Sequence, residues 1–278
     1  MAELERRSWK VKEDMTRKEL LWMTGAGIAG ATMGLNSKPK KTHIVTLSFD
    51  DGFKKSFYET AEIFESFKLR ACFNVIAQGH LENFVPTVNG HPDAGLVPFP
   101  KGDFSDWNAL KKRGHEVMAH TYDHTNLTTI PLEAAKRDID RCIAEFERNL
   151  LGFKAKDSVY NFAYNASNPE LDAYALSKFL VVRTQGDAAV NPIPTKREPV
   201  RIGCWSHGPE NCDEFFDATL KDFLASPGGW FVFNTHGLDG EGWGPMSSRY
   251  LRSLLSRLVR LEQVAVLPAG EVVLNLPK

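Results

Sequence analysis

The amino-acid sequence predicts an α/β protein in which about eight mainly parallel strands form a barrel. Two observations support this prediction. Short apolar segments alternate along the chain with amphipathic helical segments, which is typical of repeated strand–helix units and favours a parallel sheet. The units follow one another within 278 residues, and a barrel domain commonly needs about 250 residues.

The strands are predicted from short runs rich in β-branched and aromatic residues. They lie near residues 43–49, 69–76, 116–119, 158–163, 179–183, 200–204, 230–234 and 264–267. Helices are predicted between the strands, over residues 55–67, 132–150, 213–225 and 248–261, and in 132–150 apolar residues recur at three- and four-residue steps to form one core face. Asn168-Pro169-Glu170 predicts the start of another helix, with an N-cap residue, a first-turn proline and a first-turn acid.

The composition is that of an ordinary globular protein, with 42% hydrophobic and 25% charged residues. The formal net charge of −1 gives no indication of a nucleic acid or an anionic membrane as partner. The four cysteines are too few and too scattered for a disulfide scaffold. Cys72 is predicted to be a small buried hydrophobe, whereas Cys204 and Cys212 are a candidate pair in an oxidising compartment.

Two adjacent carboxylates, Asp50 and Asp51, follow the first predicted strand and precede Gly52. Adjacent carboxylates repel one another unless a cation lies beside them, and a divalent metal is the simplest such cation. An Asp-Gly turn that caps the next helix is the alternative interpretation. The pair therefore indicates either a metal site or a tight turn.

Histidines follow two further predicted strands. His120 and His124 are four residues apart, so one helical turn would place both imidazoles on the same face. Imidazole together with carboxylate suits zinc or a neighbouring transition metal. His236 follows a later apolar strand, with an ordinary loop histidine as the alternative. Three strand ends thus supply the ligands, base and acid of a metal-assisted hydrolysis.

These motifs resemble those of the polysaccharide deacetylases, the NodB-like enzymes of carbohydrate esterase family four. The resemblance covers roughly residues 42–274 and implies a distorted (β/α) barrel with seven or eight mainly parallel strands. Two family features are missing, namely a third motif with an arginine and Pro-Tyr-Gly, and an Asp-x-x-Asp-Trp fourth motif. The first, second and fifth motifs of the family are matched by Ser48-Phe49-Asp50-Asp51-Gly52, His120-Thr121-Tyr122-Asp123-His124 and Thr235-His236-Gly237.

The resemblance implies a metal-dependent hydrolase that removes N-acetyl groups from an amino-sugar polysaccharide such as chitin or peptidoglycan. Asp51, His120 and His124 are the expected ligands of one divalent metal ion, with zinc expected first and cobalt or nickel as alternatives. Asp50 is the expected general base, and His236 is the expected acid that protonates the departing amine.

Three further residues are assigned to the site by their positions. Arg183 follows another apolar strand and is the candidate replacement for the missing arginine, with a solvated surface arginine as the alternative. Tyr164 and Trp243 are the candidate substrate-binding residues, although Trp243 has buried packing as an alternative. The long loop of residues 77–105 is predicted to form a lip over the substrate groove.

Two rival functions stay open at this stage. One is the hydrolysis of another amide, such as a small cyclic or ureido compound, because the incomplete third motif leaves room for a different pocket. The other is a non-catalytic glycan-binding relative, against which the intact acidic and histidine motifs argue. The sequence does not indicate which polymer is bound or which oligomeric state the protein adopts.

Residues 1–41 differ from the remainder of the chain, which is predicted to be one catalytic barrel over residues 42–278. A basic start at Arg17-Lys18, an apolar run and the small residues Ala29-Gly30-Ala31 are typical of an export signal. A disordered or helical extension is the alternative. The apolar run is short for a membrane span. The protein is expected outside the cell or in the cell envelope if the segment is an export signal, and in the cytoplasm otherwise.

Overall fold

In the computed structural model, which describes residues 41–88, 91–186 and 189–278, nine strands form one sheet that curls into a barrel. The sheet order is β8-β10-β1-β2-β5-β6-β7-β9, with β11 paired to β1, and β8 is antiparallel to its neighbour. β3 and β4 form a separate antiparallel pair. The strands are β1 (His43–Phe49), β2 (Cys72–Val75), β3 (Thr87–Val88), β4 (His91–Pro92), β5 (Glu116–Ala119), β6 (Val159–Asn161), β7 (Val181–Gln185), β8 (Val190–Asn191), β9 (Val200–Cys204), β10 (Gly229–Thr235) and β11 (Val264–Val266).

Helices follow most of the strands and cover the outside of the barrel. The predicted strands and helices are all present, whereas α2, α7 and the short strands β3, β4 and β8 were not predicted. A reciprocal capping box between Asp103 and Asp106 starts α2. The α-helices in the described ranges are α1 (Lys54–Ser66), α2 (Phe104–Lys112), α3 (Leu132–Asn149), α4 (Pro169–Leu176), α5 (Cys212–Ala225), α6 (Ser248–Leu258) and α7 (Ala269–Leu274).

The barrel closes between β9 and β10 through a single residue, Trp205. Its backbone N–H donates to the carbonyl of Val232 at 3.2 Å, and its carbonyl accepts from the N–H of Asn234 at 2.8 Å. The first part of the same β10 edge pairs instead with β8. Seven parallel strands therefore complete a nearly closed ring, which confirms the predicted distorted barrel.

Alternation of side chains along the strands creates an apolar base and a polar mouth inside the barrel. At the base, Trp230 belongs to a small core that also takes in Val272 and Val273 of α7. Outward-facing residues such as Phe73 pack in a larger core that includes residues of the surrounding helices. Toward the carboxyl ends of the strands, the buried residues become polar, namely Ser48, Asn74, Asn161, Arg183 and Asn234.

The predicted N-terminal extension lies outside the described residues except for Lys41, so the extension and its export signal stay predictions. Among the described helices, none is long and apolar enough to cross a membrane. All four cysteines are buried and free. The candidate bridge between Cys204 and Cys212 is therefore not formed, and the Cys204 thiol donates instead to the carbonyl of Thr184, at 3.4 Å.

Two fully buried threonines differ in whether their hydroxyls have partners, and this difference gives a test of the packing. The hydroxyl of Thr46 donates to the carbonyl of Leu267 at 2.8 Å and accepts from the Trp230 indole at 2.8 Å. The hydroxyl of Thr60 has no hydrogen-bond partner in the part of the chain that the structure describes. We expect Thr46→Val to lower the free energy of unfolding by about 1–3 kcal/mol, because it leaves a buried donor and acceptor unpaired.

Thr60→Val is the matched control and should be neutral or slightly stabilising, because it removes a buried hydroxyl that has no hydrogen bond. Urea unfolding of the full chain, followed by circular dichroism, measures both variants. Equal losses of stability in the two variants would contradict the assigned roles of the two hydroxyls.

Candidate metal and catalytic site

The residues predicted from three separate motifs meet in one cavity at the mouth of the barrel. Asp50 and Asp51 follow β1, His120 and His124 follow β5, and His236 follows β10. All five line a cavity of about 360 Å³. They meet because the carboxyl ends of parallel strands lie at the same end of a barrel.

Asp51 and the two histidines after β5 form a cluster with the spacing of metal ligands. Asp51 Oδ1 lies 3.4 Å from His120 Nε2 and 3.3 Å from His124 Nε2. This oxygen is buried, and within the described ranges it has no hydrogen-bond partner. Two ligands that each lie about 2.1 Å from a tetrahedral zinc ion are about 3.4 Å apart. The orphaned oxygen and the donor set therefore fit one divalent transition-metal ion.

The backbone between the two histidines is a loop, so the helical interpretation of their spacing is wrong. Thr121 and His124 adopt left-handed conformations, with φ angles of 60° and 62°. The Thr121 hydroxyl accepts from the backbone N–H of His124 at 3.0 Å, which closes the loop. The rings of His120 and His124 consequently lie with their centroids 5.2 Å apart.

Hydrogen-bond partners at the outer ring nitrogens orient both imidazoles. Nδ1 of His120 donates to the carbonyl of Asn161 at 3.0 Å, and Nδ1 of His124 lies 3.2 Å from the hydroxyl of Tyr164. A partner at Nδ1 sets the tautomer and leaves Nε2 for a metal, as is usual for ligating histidines. Tyr164, which the sequence suggests as a substrate-binding residue, thus also contacts a candidate metal ligand.

Arg183 is buried inside the barrel, with 1% of its surface exposed, so the surface alternative is wrong. An inward-facing position on β7 carries its side chain to Asp50, to which it donates from Nη1 to Oδ1 at 2.9 Å and from Nη2 to Oδ2 at 2.6 Å. Nη1 also donates to the hydroxyl of Ser48 at 2.8 Å. Burial acts to raise the pKa of Asp50, but Arg183 and His120 outweigh burial and lower it.

Three asparagines that the sequence analysis missed complete this network. The side-chain amide of Asn74 donates to Asp50 Oδ1, and that of Asn234 donates to Oδ2 at 3.2 Å. Asn161 donates to the side-chain oxygen of Asn74 at 2.9 Å. The sequence feature that could have identified them is an asparagine near the carboxyl end of each of three apolar strands, β2, β6 and β10.

His236 lies beside Asp51, with its Nε2 3.9 Å from Asp51 Oδ2. Burial acts to raise the pKa of Asp51, whereas His236 and then His124 hold that pKa well below its usual value. Nδ1 of His236 is buried, and among the described residues it has no hydrogen-bond partner.

Aromatic residues and the long loop form the walls of the cavity. Tyr164 and Trp243 are 40% and 41% exposed, so the buried-packing alternative for Trp243 is wrong. Trp243 meets the ring of His236 edge-on, with the centroids 5.6 Å apart. The predicted lip contributes Asp93, Gly95 and Leu96 to the lining of the cavity.

Comparisons with known proteins agree with these motifs. The sequence model of a family described as polysaccharide deacetylase matches residues 37–177, which is half of the chain. A comparison with curated proteins finds no match.

Several solved structures share the fold. A protein from Mycobacterium smegmatis, provisionally described as a polysaccharide deacetylase, is 15% identical with a TM-score of 0.60, over 89% of this chain and 92% of that chain. The peptidoglycan deacetylase PdaC from Bacillus subtilis is 14% identical with a TM-score of 0.51, over 83% and 90%. A family 4 carbohydrate esterase from Streptomyces lividans is 15% identical with a TM-score of 0.52, over 85% and 98%.

The contact between Tyr164 and His124 leads to a prediction about metal affinity. We expect Tyr164→Phe to weaken zinc binding about tenfold, because it removes the hydroxyl that orients the imidazole of His124 through its Nδ1 atom. Competition with a chromophoric chelator measures the dissociation constant. Tyr174→Phe is the control, since the Tyr174 hydroxyl donates to the exposed Asp140, at 2.7 Å, and does not line the metal cavity. Equal zinc affinity in the two variants would contradict a supporting role for Tyr164.

Proposed function

The chain belongs to the polysaccharide deacetylase family, and on this basis we propose that it is a metal-dependent hydrolase that removes N-acetyl groups from an amino-sugar polysaccharide such as chitin or peptidoglycan. One observation carries the proposal. Two adjacent carboxylates have separate surroundings, since Asp51 faces two imidazoles while Asp50 is paired with a buried arginine. Such a division supplies a metal ligand and a base side by side.

Asp51, His120 and His124 would hold the ion, with zinc expected first and cobalt or nickel as alternatives. When bound, the metal supplies Lewis acidity that polarises an amide carbonyl and makes water more acidic. The low pKa of Asp51 keeps this side chain in the ionised form that a metal ligand requires.

Asp50 is the proposed general base. Its Oδ2 lies 3.8 Å from His120 Nε2, so the carboxylate borders the ligand cluster without belonging to it. Arg183 holds both carboxylate oxygens in place and favours their charged form. Each oxygen of Asp50 already accepts two hydrogen bonds, so the long bond from Asn234 to Oδ2, at 3.2 Å, would give way when Asp50 accepts a proton from the attacking water.

His236 is the proposed acid. It lies beside Asp51 on the opposite flank of β1 from the histidines of β5, because β10 and β2 pair with different edges of β1. An amine leaves poorly without a proton, and a cationic imidazole within the cavity can donate one to the departing nitrogen. Trp243, which packs on His236 and lines the cavity, is the proposed contact for the sugar ring.

The size of the cavity favours one alternative substrate. At about 360 Å³ the cavity is small, near the lower end of the roughly 300–1,000 Å³ typical of ligand sites. A small cyclic or ureido amide therefore stays the second candidate. The non-catalytic glycan-binding alternative is less well supported, because it gives no reason for an ion pair buried beside a complete set of candidate ligands.

Acetate release tests the proposal directly. The full chain is incubated with N-acetylglucosamine oligomers, peptidoglycan, acetylated xylan and small amides, with zinc, cobalt or nickel added. We expect metal-dependent acetate from the first two substrates. Asp50→Asn should abolish turnover and leave the zinc content unchanged, because it removes the base and no ligand. Undiminished turnover in Asp50→Asn, or hydrolysis of small amides alone, would refute the proposal.

The pairing of Arg183 with Asp50 predicts a shift in the pH dependence of the rate. Arg183 lowers the pKa of Asp50, so Arg183→Met should raise that pKa and protonate the base at a higher pH. We expect a lower kcat and an acidic limb of the pH–rate profile that moves to higher pH. Arg183→Lys should not restore the profile, because lysine lacks the planar fork. An unchanged acidic limb in Arg183→Met would contradict the proposal that Arg183 lowers the pKa of the general base Asp50.

A further inference from the structure

Charged side chains are distributed unequally between the two ends of the barrel. The loops that precede the strands lie at the base, because the main strands run parallel to one another. These loops and the last four residues carry eleven lysines and arginines against three aspartates and glutamates. They are called here the basic face, which comprises residues 41–42, 67–71, 113–115, 150–158, 177–180, 192–199, 226–228, 259–263 and 275–278.

The mouth of the barrel carries the opposite charge. The segments that follow the strands hold nine aspartates and glutamates and one lysine, over residues 50–53, 76–88, 91–103, 120–131, 162–168, 205–211 and 236–247. Arg183 and a bound divalent ion would offset three of these negative charges, so the mouth would stay acidic. The formal net charge of −1 for the whole chain therefore conceals a separation of charge between base and mouth.

Several loops of the basic face bring their cations together. A cavity of about 420 Å³ at the base is lined by four cationic side chains, namely Lys156, Lys178, Arg197 and Lys278. Arg197 pairs with Asp157, and Lys178 pairs with Asp140 at 3.4 Å. Lys154, Lys156 and Lys196 are exposed, and within the described ranges none of the three takes part in an ion pair. Their charges are therefore available to an anionic partner.

An apolar side chain projects from the same face. Leu151 is 74% exposed, which is the highest value for a large apolar residue in the described part of the chain. Its backbone is fixed on α2, because its N–H donates to the side-chain oxygen of Asn108 at 2.8 Å and its carbonyl accepts from the Lys111 ammonium at 2.7 Å. Val259, in another loop of the basic face, is 48% exposed. Exposed apolar residues among lysines suit the boundary between lipid headgroups and acyl chains.

We propose that the basic face docks on a bilayer of anionic lipids, with Leu151 inserted among the headgroups and the mouth directed away from the membrane. Lipid phosphates complement the lysines, whereas the acidic mouth is repelled by the same surface. A soluble anionic polymer would also pair with the lysines, but it would leave Leu151 in water. The chain reaches the barrel at this face, since Lys41 closely precedes β1 and the predicted export signal lies upstream of Lys41.

Sedimentation of the full chain with lipid vesicles tests the proposal. Vesicles of equal parts phosphatidylglycerol and phosphatidylcholine are compared with vesicles of phosphatidylcholine alone. We expect stronger binding to the anionic vesicles and weaker binding as the salt concentration rises. Lys154→Gln combined with Lys156→Gln and Lys196→Gln should weaken binding to the anionic vesicles about tenfold to a hundredfold. Equal binding to both kinds of vesicle would overturn the proposal.

A matched triple variant controls for the change in net charge. Lys55→Gln, Lys221→Gln and Arg252→Gln remove three exposed cations from α1, α5 and α6, outside the basic face. This variant should bind anionic vesicles as the wild type does. Equal losses of binding in the two triple variants would mean that net charge alone decides binding, and would overturn the assignment of the basic face.

The apolar contact is tested separately. Leu151→Ser should weaken binding to anionic vesicles about three- to tenfold, because it removes the side chain that enters the headgroup layer. Val85→Ser is the control, since Val85 is 52% exposed and lies in a segment at the mouth. Equal binding in the two variants would overturn the insertion of Leu151.

Hydrogen exchange measured by mass spectrometry locates the face that meets the membrane. With anionic vesicles added to the full chain, residues 150–158 and 192–199 should become protected, while residues 76–88 at the mouth should not change. Protection at the mouth in place of the base would overturn the proposal. If the basic-face triple variant loses affinity for soluble polyphosphate but not for vesicles, the partner is an anionic polymer and the lipid proposal is overturned.

Discussion

The buried ion pair between Arg183 and Asp50 is the interaction on which the rest of the site depends. Two adjacent buried carboxylates cannot both stay ionised without compensating charge. Removing an arginine and a carboxylate from water costs several kcal/mol for each ion, and this cost is offset only when the geometry is good and the remaining polar atoms are bonded. The two-bond contact and two asparagine amides satisfy both oxygens of Asp50, and Ser48 accepts a further bond from the guanidinium, whereas Arg183 Nε has no partner among the described residues. Asp51 is then left to face the imidazoles.

The backbone explains how neighbours in sequence acquire different roles. Asp50 continues the inward alternation of β1 and enters the polar layer inside the barrel. Asp51 has a φ angle of 76°, so the chain leaves the strand geometry at this residue and its side chain meets His120 and His124. The Asp-Gly turn considered from the sequence is therefore present, but α1 has Phe53 at its N-cap position, without a side-chain cap. The turn positions a ligand rather than capping a helix.

The sequence predicted the strands, the two carboxylates and the histidines because short apolar runs end at one edge of a parallel barrel. The contact of Arg183 with Asp50 was also predicted, since an ionised Asp50 needs a fixed cation beside it. The asparagines such as Asn74 and Asn234 were missed, because the direction in which a strand residue points depends on pairing that a single sequence does not display. A contact between two loops that line the metal cavity was missed for a related reason. The approach of Gly95 to Trp243 joins segments far apart in the chain, and neither segment carries a local signal for it.

The central claim is that Asp51, His120 and His124 bind one metal ion while Asp50 stays paired with Arg183. Anomalous diffraction at the zinc edge, from crystals of the zinc-loaded protein, tests it most directly. The account predicts one zinc ion per chain, within about 2.0–2.2 Å of both Nε2 atoms and an Asp51 oxygen, with the Asp50 carboxylate still bonded to the guanidinium. Zinc bound elsewhere, or zinc ligated by Asp50 in place of Asp51, would contradict the account.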